Sequence, residues 1–472
     1  MLRWMTCSAC VLLIAGCAAG PDYARPGMAL PAVYKAVPGW KIAAPADEVV
    51  RGQWWTGFGD AQLDALEARL ALDSQTLAQY AAKLRSAQAL YDQASAARWP
   101  TLSANAASSR GKTPGSSAAT TASLSLNAGW EADLWGKLAR GAEAGAAEAA
   151  ASAADLAAAT LSARAQLATT YLQWRVAVLE QDSLAASVDA YRGQLEVVKH
   201  KLDAGVAMRA DLLQAQSQLQ TFEAQLADAR LQREQYEHAI AVLVGVAPAD
   251  LTLTPPAGVP VSLPLPDALP ANLIERRPDI AAAERRVAEA NARIGVARAA
   301  YFPDLTLSAS GGWKADRAAE WFTAPARLWS LGPALALTLF DGGARKAAED
   351  AARANYDNTV AVYRQTVLTA LQDVEDNLAA SVSLDASLRL TREAWQNARE
   401  AETIVMNQYR AGTVAWLNVL VAKNATESAA RAYYSVAARR LAASVGLVRS
   451  LGGGWKAAAP STNDATRAQR SQ

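Results

Sequence analysis

The chain has 472 residues, with 46 Lys+Arg against 45 Asp+Glu, and is 51% hydrophobic, much of that Ala. That balance lacks the basic stripe that marks a nucleic-acid partner, so no nucleic acid is expected. Ala favours helices, and no stretch beyond the N-terminus holds 18 or more apolar residues, which excludes a transmembrane helix and leaves a β-barrel as the membrane option.

Arg3 gives the N-terminus a positive start, Val11 to Ala15 is apolar, and Leu13-Ile14-Ala15-Gly16-Cys17 ends the stretch. A charged start, an apolar run and small residues before a cut site describe a secretory signal over 1–16. A Cys directly after Ala-Gly resembles a bacterial lipobox. This implies that Cys17 becomes the first mature residue and carries a covalent lipid, a diacylglycerol and a palmitate. Ala18, in place of an Asp, resembles the outer-membrane sorting choice. A plain signal peptide with an incidental Cys is the alternative. Cys7 and Cys10 fall in the removed part, so no disulfide is expected despite an oxidising compartment.

The mature chain repeats itself. Arg98-Trp99-Pro100-Thr101-Leu102-Ser103 resembles Tyr301-Phe302-Pro303-Asp304-Leu305-Thr306, Leu134-Trp135-Gly136 resembles Leu339-Phe340-Asp341-Gly342, and Ala204-Gly205-Val206 resembles Ala411-Gly412-Thr413. The offsets are 203, 205 and 207 residues, so the chain is a tandem duplication. The expected order is a lipidated segment (17–60), a first repeat (61–247), a Pro-rich linker (248–271), a second repeat (272–451) and a polar, disordered tail (452–472).

Each repeat reads helix, strand, strand, long helix, helix, with strands at about 101–135 and 304–340. Ala122, Leu124, Leu126, Ala128, Trp130, Ala132 and Leu134 alternate with Thr121, Ser123, Ser125, Asn127, Glu131 and Asp133. Leu305, Leu307, Ala309 and Trp313 oppose Thr306, Ser308 and Ser310; Trp329, Leu331, Leu335, Leu337 and Leu339 oppose Ser330, Ala336 and Thr338. An apolar face against a polar or small one is what a membrane strand needs. Trp130, Trp135, Trp313, Trp321 and Trp329 fall near strand ends or in a connecting loop, where interfacial aromatics belong. Four strands cannot close a barrel, since the smallest use about eight. If these strands cross a membrane, the chain must oligomerise.

Lys137 to Asp203 and Arg345 to Ala411 contain no Pro, and each predicts a helix of roughly 100 Å. Leu212, Leu219 and Leu226 repeat at seven, as do Ala215, Phe222, Ala229, Tyr236 and Leu243, and so do Val360, Val367 and Val374 beside Tyr356, Tyr363 and Ala370. Heptads give coiled-coil seams. The fold class is therefore mainly α with a small β part.

Several motifs in order now carry a family resemblance. Cys17-Ala18-Ala19-Gly20-Pro21-Asp22-Tyr23, Trp54-Trp55 with Phe58-Gly59-Asp60, Glu275-Arg276-Arg277-Pro278-Asp279-Ile280, Leu339-Phe340-Asp341-Gly342-Gly343 and Leu451-Gly452-Gly453-Gly454-Trp455 together resemble the OprM/NodT outer-membrane efflux lipoproteins. The resemblance implies a homotrimeric channel-tunnel: a twelve-stranded barrel with four strands per chain above a periplasmic barrel of paired coiled coils. It implies a passive duct for drugs or other small toxic molecules. The partners would be outer-membrane lipid, a periplasmic adaptor and an inner-membrane pump of the resistance-nodulation-division type.

By the same resemblance the tunnel closes at its periplasmic end. The gate residues would be Asp211, Tyr409, Leu417, Asn418 and Val421, and the adaptor-contacting tips Gly205, Val206, Gly412 and Thr413. Asn418 and Val421 stand where relatives often place carboxylates, which leaves Asp211 as the main charge; a ring of Asp211 would attract cations. An ordinary helix N-cap is the other reading of Asp211. His200 and His238 read as helix-surface residues. No nucleophile elbow, phosphate loop or metal spacing is present, so neither an enzyme nor a metal or other cofactor is expected. A protein-secretion duct and a non-conducting lipid-anchored coiled-coil spacer are the competing functions.

Overall fold

The computed structural model describes residues 19–28, 53–112, 114–115, 118–255, 258, 260, 277–316 and 322–453. The signal, Cys17, most of the linker, Glu275, Arg276, Trp321 and the tail from residue 454 lie outside the described residues. The elements, in order, are α1 (Ala61–Asp73), α2 (Gln75–Ala96), β1 (Thr101–Gly111), β2 (Ala119–Ala132), α3 (Lys137–Asp203), α4 (Arg209–Leu243), α5 (Pro278–Ala299), β3 (Asp304–Ala315), β4 (Arg327–Ala336), α6 (Ala344–Arg410) and α7 (Trp416–Ser450). The duplication is visible in their lengths. Helices α3 and α6 each run 67 residues and α4 and α7 each run 35, the second pair starting 207 positions after the first. No helix among the described residues is long and apolar enough to cross a membrane.

The chain forms two compact units, one of residues 1–28, 82–154 and 281–366, the other of 29–81, 155–280 and 367–472. The first holds a four-stranded sheet in the order β1-β2-β3-β4, antiparallel throughout. Its register sorts the side chains. Ala104 pairs with Leu126, Leu126 with Gly311 and Gly311 with Trp329, while Leu102, Ala128, Ala309 and Leu331 form the next row. All of these lie on one face. Asn105, Ser125, Gly312 and Leu328 share a row on the other, as do Ser103, Asn127, Ser310 and Ser330, so that face is polar or small except at Leu328. Within the chain, β1 and β4 each have one unpaired edge.

The strands end earlier than the expected 135 and 340, at Ala132 and Ala336, so Asp133, Leu134, Leu337 and Leu339 lie outside them. Helix capping explains the first break. The Asp133 carboxylate accepts from Leu138 N at 3.1 Å and Ala139 N at 2.7 Å, satisfying free amides at the start of α3. Asp341 does the same before α6, accepting from Gly343 N at 2.9 Å and Arg345 N at 3.1 Å. A residue committed to the next helix cannot extend the ladder.

The second unit is held by two apolar clusters. In the first, Tyr171, Trp174 and Leu167 of α3 pack with Trp54, Trp55, Phe58, Leu63, Leu70 and Tyr433. In the second, Leu184, Val188, Tyr191, Leu195 and Val198 step by four and three along α3 and meet Ala215, Leu219, Phe222 and Leu226 in the same steps along α4. This is the heptad seam expected from the sequence, with Leu212 and Ala229 at its half-buried edge. Along α6, Tyr363, Val367, Ala370 and Val374 are likewise buried.

Asp60 ties the N-terminal segment to this core. Its Oδ1 caps α1 through Gln62 N and Leu63 N, while Oδ2 accepts from Tyr171 Oη at 2.8 Å and Arg175 Nη1 at 2.9 Å. Arg175 Nη2 then donates to Gly258 O at 2.9 Å. One buried carboxylate thus joins α1, α3 and the linker, and charge-assisted bonds away from water are the strong ones.

Glu67 is the opposite case. It is fully buried, neither carboxylate oxygen has a hydrogen bond, and Arg164 Nε is 3.9 Å away. That guanidinium lies 4.7 Å from the Trp55 ring centre. Burial pushes the Glu67 carboxyl from its ordinary 4.5 up to about 8, with Arg164 opposing the rise and Asp64 adding to it. The folded value lies above the unfolded one, so folded chains keep the proton longer. Stability is full below the ordinary value, falls as pH rises toward about 8, and stays reduced above that. Glu67→Gln removes the charge and keeps the shape. We expect thermal melts of the detergent-purified protein to show little gain for Glu67→Gln at about pH 4 and a gain of several degrees at about pH 9; equal gains at both would contradict the buried-charge account.

Candidate functional site

Two places in the fold have the chemistry of a duct: the polar face of the sheet and the reversals between the long helices. On the sheet, Asn127 Nδ2 donates to Ser125 Oγ at 3.3 Å, and the Ser310 and Ser330 hydroxyls bond at 2.8 Å. At the helix end of that face, Lys137 Nζ donates to Glu131 Oε1 at 3.0 Å and Asp304 Oδ1 at 3.3 Å. Hydroxyls, amides and glycines make a surface that water wets and that presents no dominant charge. The opposite face is apolar, and Leu102, Trp329, Leu331 and Leu335 stand largely uncovered on it.

Aromatic residues mark both ends of the strands. At the helix end, Trp130 Nε1 donates to Arg98 O at 3.0 Å and Trp135 Nε1 to Pro303 O at 2.9 Å, with the Trp135 ring stacked on Phe302 at 4.7 Å. At the hairpin end, Trp313 and Phe322 lie 4.8 Å apart. Rings with a polar handle at two levels and apolar residues between them match the girdles of a membrane barrel.

The two reversals share one geometry. Gly205 has φ +72° and Gly412 φ +77°, a region that costs a side-chain-bearing residue about 1 kcal/mol. Gly205 N donates to Leu202 O at 2.9 Å and Val206 N to Lys201 O at 2.8 Å; Gly412 N donates to Tyr409 O at 3.0 Å and Thr413 N to Gln408 O at 3.0 Å. These pairs satisfy carbonyls left open at the helix ends. Val206 and Met208 are exposed at the first reversal.

The gate candidates make different contacts. Tyr409 Oη accepts from Lys201 Nζ at 2.6 Å, and the Tyr409 and Trp416 rings lie 5.2 Å apart. Lys201 Nζ is 4.7 Å from the Tyr409 ring centre, a position set by the hydroxyl and not by the ring face. Asp211 Oδ2 accepts from Met208 N at 2.9 Å. Met208 is the N-cap and Asp211 the third residue of α4, so the carboxylate serves the helix start from inside the first turn. Leu417, Asn418 and Val421 are exposed on α7. Lys201 was not among the sequence candidates; a cation one turn before the Gly205 reversal was the available signal. His200 and His238 are exposed on helices α3 and α4, and no group of His, Cys, Asp and Glu among the described residues could hold a metal.

The family model described as outer membrane efflux protein matches residues 66–246 and 269–453. The pyoverdine export outer membrane protein OpmQ of Pseudomonas aeruginosa is 32% identical over 463 residues, covering 95% of this chain and 96% of OpmQ. The toluene efflux pump outer membrane protein TtgF of Pseudomonas putida is 28% identical over 462 residues, covering 94% and 95%. Among solved structures, the outer-membrane channel OprN superposes with a TM-score of 0.83 at 31% identity, covering 92% of this chain and 99% of that one. The Campylobacter jejuni CmeC outer membrane channel has a TM-score of 0.87 at 21% identity, covering 96% and 98%, and shares the fold. The two-faced sheet, the paired long helices and a match over most of the chain agree: the chain belongs to the outer membrane efflux protein family and is an outer-membrane channel of efflux.

Proposed function

We propose that three copies of the chain close one barrel and act as the passive exit duct of a tripartite pump. The sheet carries this reading: it has one apolar face, one polar face and two unpaired edges. Hydrocarbon leaves no partner for open strand edges, so β4 of one copy pairs with β1 of the next. Four strands per chain then give a twelve-stranded cylinder, within the known range. A lumen of Ser, Thr, Asn and Gly side chains supplies water and little selectivity, so substrate choice falls to an adaptor and an inner-membrane pump. The pump in this reading is of the resistance-nodulation-division type, and small-molecule cargo fits the relatives' named roles in pyoverdine export and toluene efflux. The exposed Val206 at the first reversal, with Gly205, Gly412 and Thr413, suits adaptor docking.

Cys17 carries the lipid in this reading. Residues 19–23 are strapped to α5, to the start of α3 and to the turn after β2: Ala19 N donates to Trp135 O at 2.9 Å, Asn291 Nδ2 to Pro21 O at 3.0 Å, Arg140 Nη2 to Asp22 Oδ1 at 2.9 Å and Tyr23 Oη to Glu284 Oε1 at 2.5 Å. Gly20 packs on Gly295, where an added Cβ would meet the Ala19 carbonyl at 2.8 Å. In the sequence Cys17 stands two residues before Ala19, which is held beside Trp135. Lys201 and Tyr409 are the tip contact that favours the closed form, with Leu417 and Val421 as an apolar constriction and Asp211 as the main gate charge.

Deleting the gene should leave cells hypersensitive to the pump's substrates, and purified protein should run as a heat-modifiable trimer that conducts in planar bilayers; a monomer without conductance overturns the reading. Mass spectrometry of the mature N-terminus should find a tri-acylated Cys17, and Cys17→Ser should lose the mass of the acyl groups while still forming trimers. Because the Lys201–Tyr409 bond is exposed and worth under about 1 kcal/mol, Tyr409→Phe and Lys201→Ala should each raise open probability by no more than about fivefold per subunit. Asp211→Ala should alter cation block of the current; unchanged block and conductance would remove Asp211 from the gate.

A further inference from the structure

Helix α7 packs against α3 and α4 along a seam in which a buried polar layer lies between two apolar stretches; the Arg431–Glu180 ion pair, at 3.4 Å, lies at its exposed margin one turn farther on. Toward the reversal, Leu420 enters the cluster of Leu184, Val188 and Leu219. Farther along α7, Ala430 and Tyr433 belong to the aromatic core. Between them the contacts are hydrogen bonds. Ser187 Oγ donates to Glu427 Oε1, Tyr191 Oη donates to Asn424 Oδ1 at 3.2 Å, and Gln218 Nε2 donates to the same oxygen at 2.7 Å. Lys423 Nζ lies 4.5 Å from the Tyr191 ring centre. Donors from both α3 and α4 thus converge on two acceptors three residues apart on α7, which puts both acceptors on one helix face. Ser187 and Tyr191 are buried, at 5% and 2% exposure, so water competes weakly for their hydroxyls.

Apolar contact is non-directional and changes little when one helix slides a short way over another. Hydrogen bonds weaken steeply with misalignment, and a buried hydroxyl left without its partner carries the full desolvation penalty. Resistance to moving α7 across α3 and α4 is therefore concentrated in this layer. A buried polar layer in an apolar seam is also what fixes register between packed helices. It sits about 20 Å of helix beyond Gly412 at 1.5 Å per residue, well away from the Lys201–Tyr409 bond beside the reversal.

We propose that Asn424 and Glu427 form a second latch, separate from the tip, that holds α7 on the α3/α4 pair and sets how far the duct opens. Both are positioning residues: they act through the placement of α7. The proposal rests on the conduit reading above.

The test is single-channel recording of full-length trimers in planar bilayers, in two variants that strip the layer from opposite sides. Ser187→Ala with Gln218→Ala removes two donors; Asn424→Ala with Glu427→Ala removes the acceptors. Each variant, confirmed as a heat-modifiable trimer, should dwell in its open level at least about fivefold longer than wild type. Asn424→Asp with Glu427→Gln retains both acceptor oxygens and should record as wild type, which a merely volumetric role would not predict. A wild-type trimer that carries no current overturns the conduit reading and the latch with it. Conducting wild type alongside either folded double-alanine variant with unchanged dwell overturns the latch alone.

Discussion

A peptide group surrounded by hydrocarbon has no water to bond, and each one left unpaired costs several kcal/mol. In this chain that constraint falls on the outer edges of β1 and β4, which nothing within the four-stranded sheet satisfies. A lone copy could not rest in lipid, and the sheet's uncovered apolar face would not rest in water. That copies must assemble around a pore follows from closing those edges.

The register makes closure useful. Because side chains alternate along a strand, a one-residue slip would exchange the faces. Pairing Ser125 with Asn105 and with Gly312 keeps Ser, Asn and Gly together across strands, and pairing Leu126 with Ala104 keeps the apolar residues together. The same alternation that offers lipid an apolar belt therefore leaves a wettable lining.

The helices face water and stabilise themselves in another way. Heptad steps bury one stripe of α3 against α4, while Leu213 and Leu231 on α4 and Leu390 and Ile404 on α6 remain exposed, a distribution suited to contact with further copies. Polar groups within this packing do separate jobs. Asp60 fastens α1 to α3. Glu67 carries an unpaired carboxyl that favours the neutral form. The Ser187–Glu427 layer fixes where α7 lies on its neighbours.

Much of this was legible in the residues. Absence of Pro across Lys137–Asp203 marked α3, and alternation marked β2, β3 and β4, because both signals are local. The duplication was legible for the same reason, and the helices it implied have equal lengths. Strand ends were less so, since Asp133 continues the alternation of β2 and only its carboxylate, capping α3, shows where the strand stops. What only the tertiary structure decided were pairings between residues far apart in sequence: Lys201 with Tyr409, Tyr171 and Arg175 with Asp60, Ser187 with Glu427. Periodicity reports which face of an element is apolar. It carries no information about which distant side chain a polar group on that face will meet, because that depends on how packed helices settle against one another, a property of the folded chain as a whole.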